Sequence, residues 1–126
     1  MPELPKHHVL LVEDEEYNYL YLKEVILKTG VKVIRAVNGN QAIELFKNNP
    51  DISLIVMDIR LPDMNGYKVT KQIREINPNV PIIALTAYAL KGDREEALLS
   101  GCTDYIPKPV EPALLKEKIK QFLPGL

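Results

Sequence analysis

Four consecutive carboxylates, Glu13, Asp14, Glu15 and Glu16, follow directly on the apolar run HVLLV at residues 8–12. Two like charges about 4 Å apart repel by roughly 4 kcal/mol at an effective dielectric near 20, so a fold that crowds them either supplies a cation or spreads them. The residues closing later apolar runs enlarge the set: Asp58 after ISLIVM, Thr86 after VPIIAL and Lys108 after TDYIP. Acids, a hydroxyl and an amine then stand at successive strand ends. Mg2+ suits such oxygen donors, because it takes one or two carboxylates and keeps several waters while leaving room for phosphate oxygens. A bare phosphate site would instead need a glycine-rich turn after the first strand, and EDEE repels anions unless a metal intervenes. Glu13 and Asp14 are therefore expected at a magnesium ion. Glu15 and Glu16 are expected in the first turn of a helix, where the macrodipole favours negative charge.

Five short apolar or β-branched runs must position these groups: residues 8–12, 31–37, 52–58, 80–86 and 103–108. Between them lies helical spacing, clearest at Val69, Ile73 and Ile76 and at Leu115, Ile119 and Phe122. Further helices are predicted over 15–28, ended by Gly30, over 40–48, ended by Asn49-Pro50, and over about 90–100, ended by Gly101. Near-continuous apolar runs in the first, third and fourth strands imply burial on both faces, hence a parallel sheet covered by helices on each side. In such a doubly wound α/β fold the ligand crevice forms outside the carboxyl ends of the strands.

The 126 residues, 46% hydrophobic, suit one domain with a single core. Sixteen basic and seventeen acidic residues give a formal charge of −1, which creates no general field for nucleic acid or an anionic membrane. Neither direct nucleic-acid binding nor membrane insertion is expected. The solitary Cys102, with no clustered ligands, suits a reducing compartment better than a metal site, and the role of a small residue beside Gly101 better than that of a reactive thiol. With no long apolar stretch, the expected location is cytoplasmic, or the cytoplasmic part of a membrane-bound protein. His7 and His8 lack a third ligand nearby and receive no role.

The segments VLLVED, LIVMDIRLPDMNGY, IIALTA and DYIPKP, in this order and at these separations, resemble the receiver domain of bacterial two-component response regulators. The resemblance runs from about Val9 to Phe122, and VEDEEYN is similar to receivers fused to hybrid histidine kinases. It implies a flavodoxin-like sheet of order 2-1-3-4-5 and a single receiver domain with its core at about 8–123 and no output domain in this chain. It further implies that Asp58 is the phosphoacceptor, taking phosphorus from a phosphohistidine. Asp14 and Asp58 would bind Mg2+ with the backbone carbonyl of Arg60, and Glu13 would act largely through a water. Lys108 and Thr86 would hold phosphoryl oxygens, and Tyr105 would change rotamer as Thr86 moves. Arg60 and Tyr88, two positions beyond the acceptor and the threonine, would tune hydrolysis; both are large, which implies a slow reset. The peptide before Pro109 is usually cis in this family. Partners would be a histidine kinase or histidine phosphotransfer protein, and a downstream protein or fused domain at the face of the fourth helix, fifth strand and fifth helix.

Ordinary structural roles compete at each position. Asp58 could cap a turn, as Pro, Asp, Asn and Gly suggest for Asp63 in LPDMNG. Tyr17, Tyr19 and Tyr21 alternate on the first helix and are expected to pack. LKGDREEALLSG has the poorest apolar stripe and an internal Gly92, so its helix should be the least firmly held. A phosphohydrolase of the haloacid dehalogenase type would need a second Asp two residues after the first, and position 60 is Arg. An interaction module that works without phosphorylation would not need the complete acid, threonine and lysine set.

Overall fold

The computed structural model describes residues 7–87 and 91–126, with backbone alone for 91–93. Among these, strands and helices alternate: β1 (His8–Val12), α1 (Glu16–Leu27), β2 (Lys32–Ala36), α2 (Gly39–Asn48), β3 (Ile52–Asp58), α3 (Gly66–Ile76), β4 (Ile82–Thr86), α4 (Lys91–Ser100), β5 (Asp104–Pro107) and α5 (Pro112–Phe122). All pairings are parallel, in the order β2-β1-β3-β4-β5. The strand order reverses between β1 and β3, and their carboxyl ends open the crevice predicted from the alternation.

Helices on both faces explain why the central strands lack polar alternation. Val9, Leu11, Leu54, Val56, Ile83 and Leu85 pack with α1 and α5 through Leu22, Val25, Ile26, Leu115 and Ile119. Leu10, Val12, Ile55, Met57, Ile82 and Ala84 face the other way, against Ala42, Phe46, Val69, Ile73 and Ala97 of α2, α3 and α4. Burying each such aliphatic side chain stabilises the fold by about 1.5–3 kcal/mol. Gly30 and Gly101, at φ 91° and 108°, end α1 and α4 in the left-handed region where a Cβ is unfavourable.

Several expectations need correction. Ile76 is exposed, and the inner face of α3 is instead Tyr67, Val69, Thr70 and Ile73, because the helix starts early enough for Tyr67 to turn inward. Tyr17 is 82% exposed rather than packed. Glu15 is not in the first turn of α1 but is its N-cap, accepting from Tyr17 N and Asn18 N at 3.2 and 2.7 Å. Asp63 does more than shape its own turn: its carboxylate accepts from Gly39 N and Asn40 N at 2.7 and 2.9 Å, tying the loop after β3 to the start of α2. Tyr88 lies outside the described residues.

Slight burial pulls the Asp63 carboxyl upward, but N–H groups of Asn40, Gly39 and its own turn outweigh this and hold it below the usual range. A depressed acid stabilises the fold above its unfolded pKa and loses that contribution as pH falls through the folded one. Asp63→Ala should therefore lower stability by about 1 kcal/mol at neutral pH. Urea unfolding at pH 7 and again in acid checks this, with the gap from wild type closing at the lower pH.

Candidate functional site

The carboxyl ends of β1, β3, β4 and β5 bring Glu13, Asp14, Asp58, Thr86 and Lys108 to one rim. Register makes this possible: β3 runs to Asp58 beside Leu85, so Asp58 stands level with the penultimate residue of β4, while Thr86 pairs with Pro107, the residue before Lys108. Lys108 N donates to Thr86 O at 2.7 Å and fixes the lysine backbone at that level. The Lys108–Pro109 peptide is cis. On the other side of Asp58, α3 begins against the backbone that follows the strand. A Cβ on Gly66 would lie 2.8 Å from Ile59 Cα and 3.0 Å from Asp58 O, so only glycine permits this approach.

Asp58 is buried and held at both oxygens. Oδ2 accepts from Lys108 Nζ at 2.7 Å, and Oδ1 accepts from Arg60 N at 3.0 Å. Arg60 itself is exposed, and its side chain joins Asp58, Thr86, Lys108, Asn65 and Tyr67 in lining a cleft of about 190 Å3. Thr86 is buried at the cleft wall. Tyr105 does not line it. This half-buried tyrosine pairs in register with Ala84, packs at the edge of the α3–α4 core, and has the Arg94 guanidinium 5.8 Å from its ring centroid.

Glu13 is the least comfortable group at the rim. It is 1% exposed, and Oε2 accepts from Glu15 N at 3.1 Å while Oε1 has no hydrogen-bond partner among the described residues. Burial pushes its carboxyl up to about 7; the Glu15 N–H and the Lys108 charge oppose the rise, and the charges of Asp58 and Asp14 add to it. Oxygens of Glu13, Asp14 and Asp58 all lie within 4.8 Å of one another. A buried, unpartnered oxygen among three carboxylates is a fit for a hard divalent cation. Two of the four consecutive acids thus join the cluster, Glu15 caps α1, and Glu16 pairs with Arg35 at 2.8 Å.

Sequence reading passed over Arg35. Its signal was alternation: Val31, Val33 and Arg35 share the face of β2 that meets α1, so one position of an apolar stripe carries a guanidinium. Cys102 is buried beside Thr70 and Ser100, away from the rim, and burial raises its thiol pKa. No helix among the described residues is long and apolar enough to cross a membrane.

Known proteins are similar to this chain in sequence and fold. Residues 9–120 match the response regulator receiver domain. The polar-differentiation response regulator DivK of Brucella anthropi is 40% identical over 123 residues, covering 95% of this chain and 98% of its own. The receiver domain of the response regulator Ssk1 of Saccharomyces cerevisiae, solved with the histidine phosphotransfer protein Ypd1, superposes with a TM-score of 0.87 at 35% identity, over 96% of this chain and 91% of that one. The receiver domain of the sensor histidine kinase PA1611 of Pseudomonas aeruginosa, solved with a magnesium ion coordinated in its active site cleft, gives 0.84 at 37% identity, over 92% and 96%.

Replacing the Glu13 carboxylate by an amide removes a buried, under-partnered acid and adds a donor facing Asp14 and Asp58. Glu13→Gln should stabilise the metal-free protein by roughly 1–3 kcal/mol at neutral pH, and weaken Mg2+ binding. Denaturant unfolding in a chelator and calorimetric Mg2+ titration read the two effects separately.

Proposed function

This chain belongs to the response regulator receiver domains of two-component phosphorelays, and from that membership we propose that Asp58 is its phosphoacceptor. The observation that carries the assignment is the contact of Lys108 Nζ with Asp58 Oδ2 at 2.7 Å, inside a cluster whose other acids are Glu13 and Asp14. In the proposed reaction an Asp58 oxygen attacks the phosphorus of a phosphohistidine. The O–P bond forms as the N–P bond breaks, and the electron pair leaves on the imidazole nitrogen.

Glu13, Asp14, Asp58 and the Arg60 carbonyl would hold Mg2+, with Glu13 acting largely through a water. When bound, Mg2+ neutralises charge on the transferring phosphoryl oxygens. Lys108 moves from the free carboxylate to a phosphoryl oxygen and supplies a further positive charge. Thr86 donates its hydroxyl to another oxygen from the cleft wall. That displacement frees space beside Ala84, on the side where Tyr105 lies under Arg94, and Tyr105 turns inward. The surface altered is α4, β5 and α5, where a downstream protein or a fused domain would read the change. Arg60 and, outside the described residues, Tyr88 would restrict the water that hydrolyses the acyl phosphate, giving a slow reset. The chain is a signalling receiver that assists its own phosphorylation and dephosphorylation, at a cytoplasmic location or as the cytoplasmic part of a membrane-bound hybrid kinase.

A phosphohistidine donor must reach the rim from a protein surface. Tyr17, Leu20 and Tyr21 are exposed on α1. Tyr21 also lines, with Glu13, Lys108, Pro109 and Val110, a second cleft of about 230 Å3 that adjoins the acidic cluster. This apolar patch beside the acceptor supports docking of a histidine phosphotransfer protein or the phosphohistidine domain of a kinase, as Ypd1 pairs with the Ssk1 receiver.

Incubation with Mg2+ and acetyl phosphate should add one phosphoryl group to the wild type by intact mass, and none to Asp58→Asn or to wild type in a chelator. An unchanged wild-type mass, with no release of inorganic phosphate above the protein-free rate to signal rapid hydrolysis, would count against the assignment. Tyr17→Ala with Leu20→Ala should slow transfer from a phosphorylated histidine phosphotransfer protein by about tenfold or more, and leave labelling by acetyl phosphate unchanged. A time course with each donor separates docking from chemistry.

A further inference from the structure

Arg35 reaches the acidic loop from the side opposite Asp58, and every nitrogen of its guanidinium is engaged. Nη1 donates to Glu16 Oε2 at 2.8 Å, Nε to Glu13 O at 3.3 Å and Nη2 to Asp14 O at 3.5 Å. The plane also covers the ring of Tyr19, with Cζ 4.0 Å from the centroid. The side chain is only 22% exposed although β2 is an edge strand. These contacts converge because Glu13 N donates to Ala36 O at 3.0 Å, which carries the β1–β2 ladder one residue past the strands and brings the Glu13 and Asp14 carbonyls over the arginine.

The Asp14 contact has a consequence on the other side of the loop. In a trans peptide the C=O and N–H point in opposite directions. The unit joining Asp14 to Glu15 directs its oxygen to Arg35 and its N–H to Glu13 Oε2, at 3.1 Å. Holding the carbonyl therefore aims the N–H, and the N–H holds one oxygen of the buried carboxylate while the other, Oε1, remains available. We infer that Arg35 is a positioning residue for the cation site: it fixes the Glu13–Asp14–Glu15 backbone so that Glu13 presents an oxygen toward Asp14 and Asp58. This inference rests on the proposed magnesium site.

Charge and positioning act in opposite directions here, so the sign of one measurement decides between them. If Arg35 influenced the site only as a nearby cation, removing it would tighten Mg2+ binding, and Arg35→Lys would change nothing. Acting through its planar fork, it makes both Arg35→Ala and Arg35→Lys bind Mg2+ more weakly, the former by about tenfold, in the range found when partners of metal ligands are lost. A lysine has one ammonium and cannot engage two carbonyls, a carboxylate and a ring together.

The test is Mg2+ titration of the wild type and both variants by calorimetry, with thermal unfolding alongside and hydrogen exchange at the Glu15 amide in chelator. Weaker Mg2+ binding and faster Glu15 exchange in both variants support the positioning role. Unchanged or tighter binding in Arg35→Ala, or wild-type affinity in Arg35→Lys, overturns it. If Arg35→Ala fails to fold, Arg35→Lys alone decides. Wild-type protein that binds no Mg2+ would instead defeat the magnesium site itself, before any question of Arg35 arises.

Discussion

One ammonium set against three carboxylates is the constraint around which the rim is organised. The Lys108 ammonium donates to Asp58, while Glu13 stays buried with an oxygen that has no hydrogen-bond partner among the described residues. Such a group is expensive to bury, and packing alone gives no reason to keep it. A site that collects a cation and then a phosphoryl group must carry this excess negative charge beforehand. On the proposed function, the discomfort of the free protein would be its capacity to bind the cation.

Holding the charges together requires a rigid support, and the sheet supplies it from below. β1 and β3 are buried on both faces, so the rim loops rise from strands that neither slip nor twist without disturbing both cores. Around the rim, the fixings are short-range and polar. Glu15 caps α1, Asn65 caps α3 at Tyr67 N, and Asp63 spans to α2, so each loop is tied to the helix that starts beside it. Gly66 lets α3 approach the backbone after Asp58 more closely than any other residue would allow. These ties border the cleft that Asp58, Thr86 and Lys108 line.

The sequence made the scaffold legible because its periodicities are unambiguous. Continuous apolar runs of strand length, separated by helical spacing, admit few folds besides a doubly wound sheet, and the strand-end rule then selects Asp58, Thr86 and Lys108. Side-chain partners were harder to read. Asp63 sits among turn residues and looks self-contained, whereas its partners lie in α2, a pairing that only tertiary structure creates. Tyr17 was expected to pack because aromatic residues on a helix usually do, yet its position on α1 faces solvent. Arg35 was hidden for the converse reason: a charge on an apolar stripe reads as a solvated edge until the acidic loop is seen to fold over it. Local pattern specifies the elements, and the contacts between loops depend on register.

The proposed function requires an element that a phosphoryl group on Asp58 could move, and the described side chains of α4 suit that role. Among its described side chains, Ala97 and Ser100 are buried, while Leu98 and Leu99 are exposed, so little apolar area ties it to the sheet. Its carboxyl end is anchored by polar contacts: Arg74 of α3 donates to Gly101 O at 2.9 Å, and Cys102 N donates to Ala97 O at 3.0 Å. Driving a two-state element from mostly one form to mostly the other takes about 5.5 kcal/mol of differential stabilisation. An element held by large buried side chains would demand more than one modified residue can provide. A helix whose described side chains are held by small residues and polar contacts brings that requirement within reach of the charge that the proposed phosphorylation of Asp58 would add.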